Sequence, residues 1–317
     1  QEFRDLLTEA YSAIPSDRGM ATFRSDELTM EGEQNQESLN SYLDIWCWND
    51  IAPDQTTLSF GWQRYYYVNY IANSVIENKD NITEATQAER NQLAGEAYML
   101  RAYMHFILVN LYADPYTHCN PATTKGIPLK LNSDVREVLS RSTVEEVYAS
   151  ILSDIDEAEK LLNVETWPEG ETYRFNILSA NAFRARVYLY MGDWANAYDY
   201  AIDVVNRHGE LEELTTSTTL PNQSVEAILS MERLFIASSL GVGYVNPELM
   251  SLYRSGDMRR NKFYRQISSS ATEALKTGTN EFRCTFRSAE FYLTAAEAAL
   301  ELNDMDNARH SLTELMQ

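Results

Sequence analysis

One stretch, Ile177 to Gly209 (ILSANAFRARVYLYMGDWANAYDYAIDVVNRHG), constrains what this chain can become more than any other. Its first half sets Phe183, Val187, Tyr190 and Met191 on one face at helical spacing, and its second half does the same with Trp194, Ala197, Tyr198, Ala201 and Val205. Gly192 supplies the left-handed residue that closes one helix, and Asp193 offers a carboxylate oxygen to the free amides that open the next. Alanines at 182, 185, 197 and 201 thin the surfaces where the helices approach, so the pattern predicts a tight antiparallel hairpin.

Such close-packed helix pairs are the unit of tetratricopeptide-type repeats. The pattern returns in Ser288 to Met316, where Asp304, Met305, Ala296 and Ala308 take the places of Asp193, Trp194, Ala185 and Ala197. Asn303, the next-best left-handed residue, stands for Gly192. The offset of 304 − 193 = 111 positions is no multiple of the repeat period of about 34, so an insertion separates the two units.

The remaining helices follow from periodicity and stop signals. A first helix runs over residues 2–14 and ends at Pro15, and a second covers Leu58 to Asn78 with Trp62, Tyr65, Tyr66, Asn69, Ile71, Ala72 and Ile76 in a core-facing band. Leu93 to Tyr112 is apolar almost all round and must be central, with Asp114-Pro115 stopping it. Arg101 and Glu96 within it are structural ion-pair or cap partners, and His105 is a core residue. Ser142-Thr143 followed by Glu145-Glu146 is a capping box that opens a helix to about Leu162. Residues 20–57 and 210–287 lose periodicity and read as irregular, loop-rich lobes, the second with a short strand at EAILSM and a short helix from Pro247. The expected fold is therefore all-α: one domain over 1–317, with a helix-pair scaffold at 58–116, 143–209 and 288–317 and a ligand-binding lobe rich in loops.

Charge and composition exclude several function classes. With 47 acidic against 26 basic residues, net −21, the chain repels nucleic-acid phosphates, and the same charge makes highly anionic polymers less attractive as ligands. Cys47, Cys119 and Cys284 are odd in number and far apart, which fits free thiols rather than a disulfide framework or a zinc site. The histidines His118, His208 and His310 are isolated, Gly241-Val242-Gly243 lacks the frame of a nucleotide site, and Asp304-x-Asp306 caps a helix rather than forming a calcium loop. No catalytic residue, cofactor or metal is expected. No secretory leader opens the chain and its last helix stops without an end signal, so it is expected to be a trimmed piece of a longer protein.

What the irregular segments do carry is aromatic. Trp46-Cys47-Trp48-Asn49-Asp50 is the one non-helical place where tryptophans cluster, and in extended backbone Trp46 and Trp48 project to the same side. Flat rings beside paired polar groups suit a pyranose, whose C–H face is apolar and whose hydroxyls take two hydrogen bonds. The alternative is that both rings plug the loop onto the helices. Asp26 is the candidate hydroxyl acceptor, with turn capping as its rival; Asn49 and, on the second lobe, Tyr264 complete the candidate set.

The order of motifs resembles the starch-utilisation-system SusD/RagB family of Bacteroidota outer-membrane lipoproteins. The matching stretches are Ser25-Asp26-Glu27, then Trp62…Tyr66…Ile71-Ala72-Asn73, and most tellingly Gly95-Glu96-Ala97-Tyr98-Met99-Leu100-Arg101-Ala102-Tyr103 leading to Leu111-Tyr112-Ala113-Asp114-Pro115. Gly126-Ile127-Pro128-Leu129, Ser142 to Tyr148, Tyr173-Arg174-Phe175-Asn176, Tyr188 to Trp194 and Phe286 to Leu293 follow in order. The resemblance implies a non-catalytic, cell-surface protein held to the outer membrane by an N-terminal lipid anchor absent from this sequence. It implies two partners: an oligosaccharide or polysaccharide, and a SusC-like TonB-dependent transporter to which the glycan is delivered. Two other readings compete with it, a helical-repeat scaffold that binds protein and no sugar, and an α/α-barrel carbohydrate-active enzyme, which needs paired carboxylates across a cleft.

Overall fold

The apolar helix that ends at Asp114-Pro115 is the axis of the molecule. The computed structural model describes residues 2–15, 17–32, 34–49, 58, 60–215, 223–232, 241–275 and 285–316. Among them the helices are α1 (Glu2–Ser12), α2 (Gln36–Trp46), α3 (Gln63–Asn78), α4 (Gln87–Tyr112), α5 (Val144–Leu161), α6 (Ile177–Met191), α7 (Trp194–His208), α8 (Pro247–Leu252), α9 (Met258–Phe263), α10 (Ser288–Glu301) and α11 (Met305–Met316). Each scaffold helix packs on its neighbours in an array: α4 lies between α3 and α5, α6 pairs with α7, and α10 bridges α7 and α11. The fold is all-α and built of helix pairs, as the repeat pattern predicts.

The hairpin signals act through the atoms expected of them. Gly192 sits at φ 70°, its amide and that of Asp193 return to Tyr188 O, and the Asp193 side chain accepts from Asn196 N at 3.3 Å. Ala182, Ala185, Ala197 and Ala201 are fully buried. Tyr190 departs from the expected buried face: it stays half exposed, its ring 5.0 Å from that of Phe106. In the second hairpin Asn303 adopts φ 61° and Asp304 caps α11. Helix α4 starts earlier than the apolar run, at Gln87, because Thr86 and Glu89 form a reciprocal capping box before any apolar residue appears.

The tyrosines and phenylalanines are largely interior. Tyr103 packs edge-on against Phe175, Phe183 and Phe286, and Phe106 does so against Phe183 and Tyr148. Buried charges are paired: Arg4 with Glu96, Arg101 with Asp154 and Arg186 with Glu290, so Glu96 and Arg101 each have a structural partner outside their own helix. His105 is buried, as expected.

The polar segments are more ordered than their composition indicates. Residues 17–24 form a 3₁₀ helix, and α2 occupies much of the stretch expected to be loop. Strand β1 (Leu28–Thr29) pairs antiparallel with β3 (Tyr244–Val245), while β2 (Ala227–Leu229) pairs with β6 (Phe286–Arg287) and β4 (Tyr264–Gln266) with β5 (Thr272–Ala274). The expected strand in EAILSM and the helix from Pro247 are β2 and α8. A second small core of Met20, Phe23, Leu28, Met30, Ile45 and Val242 lies under α2, separate from the main one. Cys284 and Asp50 lie outside the described residues. No helix among those described is long and apolar enough to cross a membrane.

Candidate functional site

The end of α2 decides where the predicted tryptophans go. Asn35 caps the helix through its side chain, and Leu39, Tyr42, Ile45 and Trp46 recur at helical spacing against the second core. The segment is therefore not extended, and the two indoles do not share one side as a strand would have placed them. Trp46 is the last helical residue and rests half-buried on the small core. Trp48, two residues on, takes φ 56°, and this left-handed step throws its ring outward, 62% exposed. A bulky residue in that region costs about 1–2 kcal/mol, so the turn is held by its surroundings. Asn49 does part of the holding: its amide N–H donates to Asp44 O at 2.9 Å and its Nδ2 to Asp44 Oδ1 at 2.8 Å.

Arg24, at the end of the 3₁₀ helix, completes the turn. Its guanidinium carbon lies 4.6 Å from the Trp48 ring centre and 5.1 Å from that of Phe60, and its Nε donates to Ile45 O at 3.1 Å. Beside it opens a pocket of about 460 Å³. It is lined by Arg24, Asp44, Asn49 and Phe60, by the end of α4 and the two residues after it, Leu111 to Asp114, and by Lys125 and Arg141. The Tyr112 hydroxyl donates to Phe60 O at 2.5 Å, tying two of these stretches together.

Trp62 meets the pocket through Tyr112. It was expected in the core band of α3, but as the residue just before the helix it lies ahead of the buried face and is 52% exposed. Its ring centre is 5.7 Å from that of Tyr112 and 6.2 Å from that of Tyr66. Of the five tryptophans, the two that are exposed, Trp48 and Trp62, thus flank one pocket, each leaning on a residue that lines it.

Two of the expected residues fall elsewhere. Asp26 is exposed in a turn that Ser25 holds, by donating to Thr22 O at 2.7 Å, so Asp26 is not the capping group; it does not line the pocket. Tyr264 is 7% exposed, and its hydroxyl donates to Glu27 Oε1 at 3.2 Å while accepting from Tyr253 at 3.3 Å. Burial, with the neighbouring Tyr253 and Glu27, drives its acidity well below that of a free phenol. An aromatic residue so enclosed has no open face for a ligand, which corrects its assignment. Sequence reasoning named none of Trp62, Tyr112, Arg24, Lys125 and Arg141 as a site candidate; Trp62 and Tyr112 stood in the family-like motifs, and the other three carried no signal.

Comparison with known proteins decides the lineage. A family model for SusD-like proteins, described as starch-binding and associating with the outer membrane, matches residues 2–189. This chain belongs to the SusD-like family. SusD-like protein P38 of Formosa agariphila is 28% identical over 195 residues, which cover 60% of this chain and 35% of that protein. With SusD-like protein P25 of the same organism the match covers 28% of the relative, so the chain spans about a third of the length of these SusD-like proteins. Among solved structures, a SusD superfamily protein from Bacteroides fragilis aligns at TM-score 0.82 and 20% identity, over 99% of this chain and 78% of that one. Surface glycan-binding protein A from Bacteroides uniformis aligns at 0.77 and 16%, over 99% and 79%. A laminarin-binding SusD-like protein aligns at 0.72 and 18%, over 98% and 84%. These likenesses fix the SusD-like fold. Every residue that lines the pocket, and both flanking indoles, lie inside the stretch that matches the SusD-like model, whereas Tyr264 lies outside it.

Proposed function

We propose that the pocket between Trp48 and Trp62 binds a saccharide, and that the chain is a non-catalytic glycan-capture protein of the outer cell surface. The observation that carries this is that the two exposed indoles, which do not line the pocket themselves, pack on two residues that do, Trp48 on Arg24 and Trp62 on Tyr112, within the family-matched segment. An indole offers the flat apolar face a pyranose needs, and Asn49 with Asp44 offers an amide–carboxylate pair to adjacent hydroxyls. The left-handed turn at Trp48 supports the same reading, since backbone held in a costly conformation gathers at binding sites. Asp26, exposed and without a hydrogen bond among the described residues, is an outlying acceptor for a longer chain.

Ring stacking contributes about 0.5–1.5 kcal/mol per ring beyond burial, so two rings and a few neutral hydrogen bonds correspond to dissociation constants of roughly micromolar to millimolar. A lipid anchor on the full-length protein raises effective concentration enough for such affinities to serve capture. Delivery then passes to a SusC-like TonB-dependent transporter, which co-purification of the full-length protein from outer-membrane extracts tests directly.

Calorimetry against a glycan panel tests the site. Trp48→Ala and Trp62→Ala are each expected to weaken binding by roughly fivefold, the equivalent of about 1 kcal/mol, and no panel member should release reducing sugar. A double variant that binds every glycan as the wild type does would remove the pocket from consideration.

A further inference from the structure

The pocket's charge runs against the rest of the molecule. Acidic residues outnumber basic ones 47 to 26 in the chain, yet the pocket is lined by three cations, Arg24, Lys125 and Arg141, and two carboxylates, Asp44 and Asp114. One carboxylate is already engaged, because Asp44 takes the Asn49 amide. The buried arginines of the scaffold each face a carboxylate: Arg101 meets Asp154, Arg184 meets Asp156 and Glu159, and Arg186 meets Glu290.

Arg141 is mounted differently. Its Nε donates to Gly126 O at 2.6 Å, and its Nη2 donates to Lys125 O at 2.7 Å and to Tyr112 O at 3.3 Å. Three main-chain carbonyls fix the guanidinium in place and cancel none of its charge. Its Nη1 has no acceptor among the described residues. Lys125, carried on the same loop, is exposed, and its ammonium has neither a hydrogen bond nor an ion pair among the described residues. Holding a fork-shaped cation rigidly in advance removes the ordering cost that binding otherwise incurs, and a guanidinium matches the planar geometry of oxyanions. Repulsion from the net charge of −21 is screened beyond about 10 Å at 0.1 M salt, so at contact the local cations decide.

We infer that the saccharide taken by this pocket is acidic, carrying a carboxylate or sulfate ester that Arg141 and Lys125 receive beside the two indoles. This rests on the pocket being the glycan site, and it reverses the expectation that net charge alone sets. Neutral sugars satisfy the indoles but leave both cations without an anionic partner.

Calorimetry on the wild-type chain separates the two claims. The probes are oligogalacturonate and a sulfated galactan oligosaccharide, each beside its own methyl-esterified or desulfated form, together with neutral glucans, mannans and galactans. The acidic form of at least one pair is expected to bind at least tenfold more tightly than its neutralised form, and the pair that responds tells carboxylate from sulfate. The Lys125 side chain has no hydrogen bond or ion pair among the described residues, so Lys125→Gln is expected to keep the wild-type melting temperature and to cut that ratio at least threefold. Arg141→Lys, which keeps the charge and loses the fork, should cut it as well. Binding that is confined to neutral glycans, or unchanged by esterification and desulfation, overturns the inference and leaves the glycan reading standing. An acidic preference that survives both variants overturns its assignment to these residues. Failure of every probe, neutral ones included, overturns the glycan reading and this one with it.

Discussion

Asp154→Ala strands a buried cation, and its cost can be worked from the geometry. The Arg101 guanidinium, with its side chain 8% exposed, donates through Nε to Asp154 Oδ2 at 2.8 Å and through Nη2 to Oδ1 at 2.5 Å. Its Nη1 reaches Asn73 Oδ1 at 2.7 Å and Leu131 O at 3.2 Å, while Asn73 Nδ2 donates to Lys130 O and Asn132 O. One fork therefore ties α3, α4, α5 and the loop at 130–132 together. Burial pushes the Asp154 carboxyl above its ordinary range, against the pull of Arg101, so desolvation already offsets much of the pair's attraction. Removing one partner of such a pair costs about 3–5 kcal/mol because the other charge is left uncompensated. Arg101 would keep two neutral acceptors, which places the expected loss near the lower end, about 3 kcal/mol. Urea unfolding followed by circular dichroism should show a lower midpoint at unchanged slope. The decisive comparison is the double variant Arg101→Met plus Asp154→Ala, which removes the stranded charge and should be more stable than Asp154→Ala alone. A double variant no more stable than the single would mean that the cost is a cavity, and the charge argument would be refuted.

Two further perturbations follow from the core. A free imidazole titrates near 6.5, whereas burial, helped by the charge of Arg101, holds His105 down to about 3. The unfolded chain thus takes up a proton that the folded chain refuses, and stability falls by about 1.4 kcal/mol per pH unit as pH drops below 6.5. His105→Leu lacks this component and should gain about 3 kcal/mol on the wild type between pH 7 and pH 4.5; parallel pH profiles of unfolding free energy would exclude the mechanism. Gly95 faces the end of α5, where an added Cβ would lie 2.8 Å from Leu162 Cδ2 and 3.1 Å from Leu162 N. Gly95→Ala gains about 1 kcal/mol of helix propensity but must push back main chain, at about 1–3 kcal/mol for overpacking, so its melting temperature is expected to fall; a rise would show that Leu162 yields freely.

The scaffold was legible because its signals are local. Gly192, Asn303, Asp193 and the Thr143 cap each act on residues within four positions, and the buried alanines report helix approach without knowing which helix approaches. Helix α2 was not legible, since QESLNSYLDIW has few apolar residues and the small core they cover is completed by Val242, far along the chain. Composition singles out Trp48 and Asn49 as candidates, but the conformation that exposes Trp48 is not legible, because a left-handed tryptophan has no sequence signature. Arg141 gave no sign at all: its guanidinium is held by three carbonyls that only the fold of residues 112–126 brings together.

The misassignment of Tyr264 shows what the insertion between the repeat units does for the site. Tyr264 anchors Glu27, the residue before β1, and Glu27 O in turn accepts from Asn246 N at 2.8 Å, just past β3. The β1–β3 pairing continues into two more ties across the same seam: Gln34 Oε1 accepts from Gly243 N at 3.1 Å, and Asn35 N donates to Gly241 O at 2.8 Å. Asn35 is the cap of α2, and α2 ends at the turn that presents Trp48. Residues 241–264 therefore hold the start of the helix whose end carries the ring, without lining the pocket themselves. An aromatic residue in an irregular segment can serve a binding site in either of two ways, as the face that meets the ligand or as the strut that fixes the turn. Burial separates them: Trp48, at 62% exposure, has an open ring for the face of the proposed site, whereas Tyr264, at 7%, is the strut.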